Sequence, residues 1–349
     1  MKRLFLMLLV CLLICTAAVG CTEENAATAS GLVFEKSGDA YYVKDCSDTA
    51  TEVNIPAKYK GLPVTGIGEY AFWRCESLTS IAIPSSVTSI GKGAFGSCSR
   101  LTSITIPDSV TSIGEGAFRS CSSLTSIAIP DSVTSSLGTE VFNYCTNLSS
   151  ITIGNNVTSI GKMAFYGCKS LTSITIGNSV TSIGDTAFSD CKSLTSITIP
   201  SSVTSIGDYV FNECMSLSSI TFGNGITSIG KNAFTLCNSL TSITLPDSMT
   251  SIDSSAFSSC KNLSSITFGN SVTSIGNSAF SSCTSLTSIT IPSSVTDIGI
   301  YAFGGCENLT IITYQGTVDE WNALPKGNSW NSFVPATEVV CFDGTVKLK

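Results

Sequence analysis

The residues with the most reactive chemistry in this chain are cysteines, and they stand in register. Cys75, Cys98 and Cys121 are followed, after a step longer by one position, by Cys145, Cys168, Cys191, Cys214, Cys237, Cys260, Cys283 and Cys306, and every other step is identical. Evenly spaced thiols could form disulfides, hold a soft metal or fill a core. Units stacked about 4.8 Å apart would bring neighbouring cysteines within the Cα separation that a disulfide needs. Eleven is an odd number, however, and each cysteine follows the same Phe-x-x sequence. The favoured reading is a column of buried free thiols acting as small apolar fillers, with some adjacent pairing during secretion as the alternative. A thiolate metal ladder is disfavoured, because gathering many thiolates without basic neighbours is costly. Cys46 and Cys341 are expected to lie outside the column, in separate end segments.

Other chemistries are restricted by composition. Histidine is absent, which removes the commonest general base and the commonest zinc ligand and rules out a Ser-His-Asp hydrolase or a His-built metal site within this chain. No carboxylate pair recurs with basic or hydroxyl partners, so no catalytic residue, metal site or cofactor is nominated. With 18 basic and 25 acidic residues the net charge is −7, which argues against a nucleic-acid partner.

The elements that position these residues follow from the period. A repeat of roughly 20–29 residues with Leu/Ile spacing indicates a leucine-rich solenoid. In Leu171-x-x-Ile174-x-Ile176 the two isoleucines share one face of a short strand, while Ser173 and Thr175 share the other. Gly177-Asn178-Ser179 supplies turn residues, and Val180 and Ile183 turn inward again. The stretch Asp185 to Cys191 has apolar spacings of one, three and four, which predicts one or two helical turns docked by Ala187, Phe188 and Cys191. The fold class is therefore a repeat solenoid of the α/β class: right-handed, with short parallel strands and short helices, about 11–12 repeats of 23 residues, capped at both ends. A solenoid has extended faces and no built-in reaction centre.

Two faces offer contact surfaces for a protein or glycan. The outward strand positions form a serine row and a threonine row, with Ser173, Thr175, Ser196, Thr198, Ser219 and Thr221 at their centre. A solvated face without a ligand is the simpler account of them, since such residues suit exposed strands. The opposite, convex side varies between copies, and Trp73, Tyr144, Tyr166 and Tyr209 there are candidate ligand anchors. Arg119 and Asn143 fall among the same exposed slots. Tolerated drift is the competing explanation.

The ends of the chain differ in composition. Residues 1–20 read as a secretory signal: Lys2 and Arg3 precede an apolar run from Leu4 to Ile14, and Ala18-Val19-Gly20-Cys21 follows. That ending resembles a bacterial lipobox, which implies lipidation at Cys21 and a membrane contact through the lipid anchor only. Residues 21–30 read as a tether and 31–50 as an N-terminal cap. The leucine-rich solenoid occupies 51–314, and 315–349 form a C-terminal cap.

The unit Cys-x-x-Leu-x-x-Ile-x-Ile-Pro-x-Ser-Val-x-x-Ile-Gly-x-x-Ala-Phe, read from Cys98 to Phe118, closely resembles the BspA-like (Treponema-type) class of leucine-rich repeats over about residues 51–346. It departs from better-known leucine-rich repeats in replacing their asparagine column mostly with serine (Ser109, Ser132, Ser179, Ser202, Ser248). The resemblance implies a bacterial secreted or cell-surface lipoprotein, on the cell surface or outer membrane. Some such proteins are adhesins that engage protein or glycan on host or neighbouring cells. A monomer is expected. A stiff structural or antigenic spacer without a specific ligand is the other functional class.

Overall fold

The structure is a computed structural model and describes residues 31–348. The signal segment, the tether and Cys21 lie outside the described residues. Within them the chain winds as a parallel solenoid of about 13 turns. Each rung contributes to three columns that run the length of the stack.

The first column consists of strands of three or four residues. Ser196–Ile199 lies parallel to Ser219–Phe222, with Ser196 opposite Ser219 and Thr198 opposite Thr221. Ser150 and Thr152 face Ser173 and Thr175 in the same way. Alternation turns Ile197 and Ile199 into the core and leaves Ser196 and Thr198 exposed, as the period-two pattern requires. The second column has two-residue strands, where Ile183 pairs with Ile206 and Ile206 with Ile229. The one longer step is absorbed between these columns. Ser126 pairs with Ser150, one position beyond the usual spacing, whereas Leu137 bridges to Ile160 at the usual one. The extra residue thus loops out without shifting the next strand.

The third column corrects the expectation of short helices. Every rung there holds two left-handed residues four apart, such as Tyr70 (φ 58) and Arg74 (φ 61), or Thr186 (φ 55) and Asp190 (φ 61). The N–H groups of Tyr70, Phe72 and Arg74 donate to the carbonyls of Lys92, Ala94 and Gly96 in the next rung at 2.7–2.8 Å. The alternate residues Trp73 and Cys75 donate back three residues, to Tyr70 and Phe72. The physical reason lies in the ends. An isolated helix of this length would leave four N–H and four C=O groups unpaired at its termini. Turning alternate peptides along the stack pairs them with the neighbouring rung instead. A left-handed non-glycine residue costs roughly 1–2 kcal/mol, which the inter-rung bonds offset. The only α-helix among the described residues is α1 (Val318–Ala323), closed by a Thr317/Glu320 capping box.

Side chains stack in the same register. Phe72 to Phe303 form an unbroken buried column with ring centroids 5.0–5.5 Å apart and planes within 18° of parallel. The serine column takes the place of the missing asparagines: Ser109, Ser132, Ser202, Ser248 and Ser294 each donate a hydroxyl to a carbonyl of the preceding rung at 2.6–2.7 Å. Asn156, which stands in the same register, reaches the Asp131 carbonyl through its amide at 2.8 Å.

Each end is closed by a hairpin on a different column. Strands β1 (Leu32–Ser37) and β2 (Ala40–Cys46) are antiparallel, and β2 lies parallel on Leu62–Ile67 at the head of the second column. The outer strand β1 carries Glu35, paired with Lys44, and Lys36, charges that blunt an open sheet edge. At the other end Glu338–Cys341 extends the first column beside Ile311–Tyr314, and Gly344–Lys347 folds back on it. Residues 315–341 thus complete one more rung, of divergent sequence. Trp330 packs edge-on against Phe303, the last ring of the column, and Trp321 against Trp330. Lys326 closes the C-terminus of α1, its ammonium donating to the Trp321 and Leu324 carbonyls at 2.6 Å.

Candidate functional site

The thiol column is structural. The cysteines from Cys75 to Cys306 are buried and unpaired by disulfides. The thiols from Cys98 to Cys306 each donate to the phenylalanine carbonyl of the preceding rung at 3.0–3.3 Å, Cys98 to Phe72 and Cys191 to Phe165 for example. That same carbonyl already accepts the N–H of its own rung's cysteine. Cysteine here therefore fills space and also supplies a donor to a second lone pair. Sequence reasoning saw only the filler. Burial pushes the thiols of Cys121, Cys145 and Cys191 well up, and those of Cys168 and Cys260 to about 12. They stay protonated, and a protonated thiol is neither nucleophile nor metal ligand. Cys46 corrects an expectation: it hydrogen-bonds the Cys75 thiol and so stands at the head of the column. The hairpin places it there, because β2 is the element stacked on the first rung.

The strand face presents Ser173, Thr175, Ser196, Thr198, Ser219 and Thr221 together, all exposed. Two shallow grooves lie on it. One of about 420 Å³ runs over Ser103 to Thr152, and one of about 400 Å³ includes Thr198, Thr221 and Phe222. From Ser150 to Thr290 its character is uniform, because in-register pairing repeats the same hydroxyls, whereas Ala82 and Ala128 interrupt the threonine row and Ile311 the serine row.

The turn face is where rungs differ. Trp73 is 37% exposed, Tyr144 42% and Tyr209 43%, and Tyr70, which sequence reasoning passed over, 47%. Tyr166 is half-buried, and Asn143 is buried rather than exposed. The structure brings two pairs together. Tyr70 and Trp73 meet edge to face at 5.6 Å, and Tyr144 and Tyr166 at 5.3 Å. Tyr209 stands apart, further along the column. Ion pairs join successive rungs on this face: Lys92 to Glu115 at 2.9 Å and Arg119 to Glu140 at 2.7 Å. Tyr70 was detectable in the sequence, because it holds the same left-handed register position as Tyr209 and Tyr301.

Among the described residues no helix is long and apolar enough to cross a membrane. No curated protein matches the chain significantly. Two solved structures are similar over most of their length. A leucine-rich repeat protein from Bacteroides ovatus shares 29% identity, covering 88% of this chain and 92% of its own with a TM-score of 0.62. A leucine rich cell surface protein from Faecalibacterium prausnitzii shares 31% identity, covering 84% and 96% with a TM-score of 0.54. The family described as the BspA type leucine rich repeat region, in its six-copy form, matches residues 41–145, 65–195, 135–263 and 204–323 in overlapping registers. With the period, the stacked rungs and these matches in agreement, the chain belongs to the BspA-type leucine-rich repeat family.

Proposed function

We propose that the protein is a lipid-anchored recognition rod on the bacterial surface, an adhesin that engages protein or glycan on host or neighbouring cells over several rungs. The observation that carries this reading is the confinement of variation. From Ser150 to Thr290 every rung repeats the same strand-face hydroxyls over a closely similar core, while large exposed aromatic and charged side chains change from copy to copy on the turn face. Such residues are the usual anchors of an interface. In this reading Trp73, Tyr144, Tyr166 and Tyr209 select the ligand, and the Ser173 to Thr221 hydroxyl rows add a broad contact without selecting. The protein acts as a monomer without catalysis or cofactor, held to the membrane by acylated Cys21. The cell-surface description of the Faecalibacterium prausnitzii relative supports the location.

The test is a titration of labelled protein carrying Cys21→Ser onto epithelial cells, other bacteria and immobilised matrix proteins. Saturable binding is expected to at least one of them. It should fall at least tenfold on deletion of residues 93–162, which joins Lys92 to Met163 in register and removes the rungs of Cys98, Cys121 and Cys145. The unaltered chain should incorporate radiolabelled palmitate, and the Cys21→Ser chain should not. Absence of saturable binding across the panel would leave a stiff spacer.

A further inference from the structure

Near the N-terminal end of the turn face, glycine replaces side chains in two consecutive rungs. Gly93 and Gly116 occupy, in consecutive rungs, the left-handed position that holds Tyr70, Glu140, Met163, Thr186 and Tyr209 elsewhere. Gly96 stands in the register of Trp73, Arg119 and Tyr166. The glycines do two different things. A Cβ on Gly93 would lie 2.5 Å from the Tyr70 ring, and one on Gly96 2.1 Å from the Trp73 ring. Both rings therefore lie down on bare backbone and are fixed by it. Over Gly116, by contrast, an added Cβ would meet only the Arg119 Cβ, at 3.8 Å, so that position is open. The result is a shallow cavity of about 310 Å³, at the lower end of the roughly 300–1,000 Å³ range of ligand pockets. Gly116 is its floor, Tyr70 and Trp73 form one wall, and Thr139 with the Lys92–Glu115 and Arg119–Glu140 pairs completes the lining.

We propose that this cavity is a binding subsite for a neutral oligosaccharide. The proposal rests on the recognition reading above and names its ligand class and place. A sugar ring has one face of polarised C–H groups and a rim of hydroxyls. The negative faces of Tyr70 and Trp73 suit the first. The second needs fixed donors and acceptors side by side, which the two salt-bridged pairs supply, since charged partners make the stronger hydrogen bonds. Two cations matched by two carboxylates leave the rim without net charge, so a strongly charged ligand would have to break a pair to enter. The ligand is longer than one sugar. The Tyr144–Tyr166 pair begins on the rung of Thr139 and Glu140, three rungs from Tyr70, or roughly 14 Å along the stack.

The experiment is affinity electrophoresis of the full chain carrying Cys21→Ser in gels containing galactomannan, xyloglucan, laminarin or starch. At least one polysaccharide should retard the protein. Trp73→Ala should weaken that retardation at least tenfold. Gly116→Asn should do the same by filling the cavity, with a residue that Asn232 already places in the same left-handed position. Ser255→Asn, at the matching position of a distant rung, should change nothing and controls for folding. Retardation by none of the four, or retardation that survives both cavity variants, overturns the proposal. So does binding only to charged polysaccharides or to peptides. The two readings fail separately. Saturable binding to cells that persists after periodate oxidation of their glycans removes the sugar assignment and leaves recognition standing, while absence of any cell or matrix binding beside cavity-dependent retardation in the gels removes the adhesin reading and leaves the sugar subsite.

Discussion

Raising the pH from 8 to 10 in the presence of a reductant is expected to unfold the protein across little more than one pH unit. In the native rod, burial holds the thiols of Cys98, Cys121, Cys145, Cys168, Cys191, Cys214, Cys237 and Cys260 above their ordinary range. In the unfolded chain each would titrate near 8.5. A folded pKa above the unfolded one means that the protonated native form is fully favoured below about pH 8.5, and that stability is lost as pH rises and the unfolded chain sheds protons that the folded chain keeps. One such thiol is a minor effect. Eight together give a slope of about −11 kcal/mol per pH unit once the unfolded thiols ionise, against total stabilities of about 5–15 kcal/mol for ordinary domains. Circular dichroism against pH would display the transition. The triple variant Cys168→Ser, Cys191→Ser, Cys214→Ser keeps a donor for each phenylalanine carbonyl and should lower the slope by about three-eighths. A rod that stays folded through pH 10, or a slope indifferent to the triple variant, would contradict a protonated thiol column.

The second large effect concerns the phenylalanine stack. Phe188 is fully buried, with Phe165 at 5.2 Å on one side and Phe211 at 5.4 Å on the other. Phe188→Ala should cost about 3–5 kcal/mol through lost transfer energy and the cavity left behind. Position along the rod adds a second consequence. Solenoid stability is a sum of rung and nearest-neighbour interface terms, so a defect at the centre weakens two interfaces between two long halves. Urea unfolding of Phe188→Ala should therefore broaden or split, with a lower apparent m-value. Phe72→Ala, at the head of the column with one ring neighbour, should shift the midpoint less and leave a single transition. Equal effects at both sites would mean that the rings do not act as a stack.

Much of the rod is readable from the chain alone, because period-two alternation fixes which strand residues point inward. Ile197 and Ile199 could be placed in the core, and Ser196 and Thr198 on the surface, from their order. The turn column was not readable, for a physical reason. Phe188 and Cys191 have the spacing of a helix face, but local spacing says nothing about where N–H groups go, and here they go to the next rung. A β-branched residue such as Thr186 at positive φ is a signature of that choice visible only in coordinates. The partner of the Cys191 thiol, the Phe165 carbonyl in the preceding rung, is equally invisible to pattern. The turn-face cavity is a case of space rather than side chains. Gly93 and Gly116 offer no side chain to nominate, and only their adjacency to the Tyr70–Trp73 pair makes the space a site. Cys46 was misplaced because a hairpin's sequence does not say which column it will cap.

In the proposed function, invariant rungs build the rod while residues that differ between copies carry recognition. That division is tested by replacing Tyr70, Trp73, Tyr144, Tyr166 and Tyr209 with serine, which sister rungs carry in the same registers at Ser255, Ser258 and Ser259. Thermal unfolding of this variant and saturation binding to the cells bound by the unaltered protein are then compared. An essentially unchanged melting temperature and binding reduced at least a hundredfold are expected. Unchanged binding on an intact fold would place recognition elsewhere and contradict the claim.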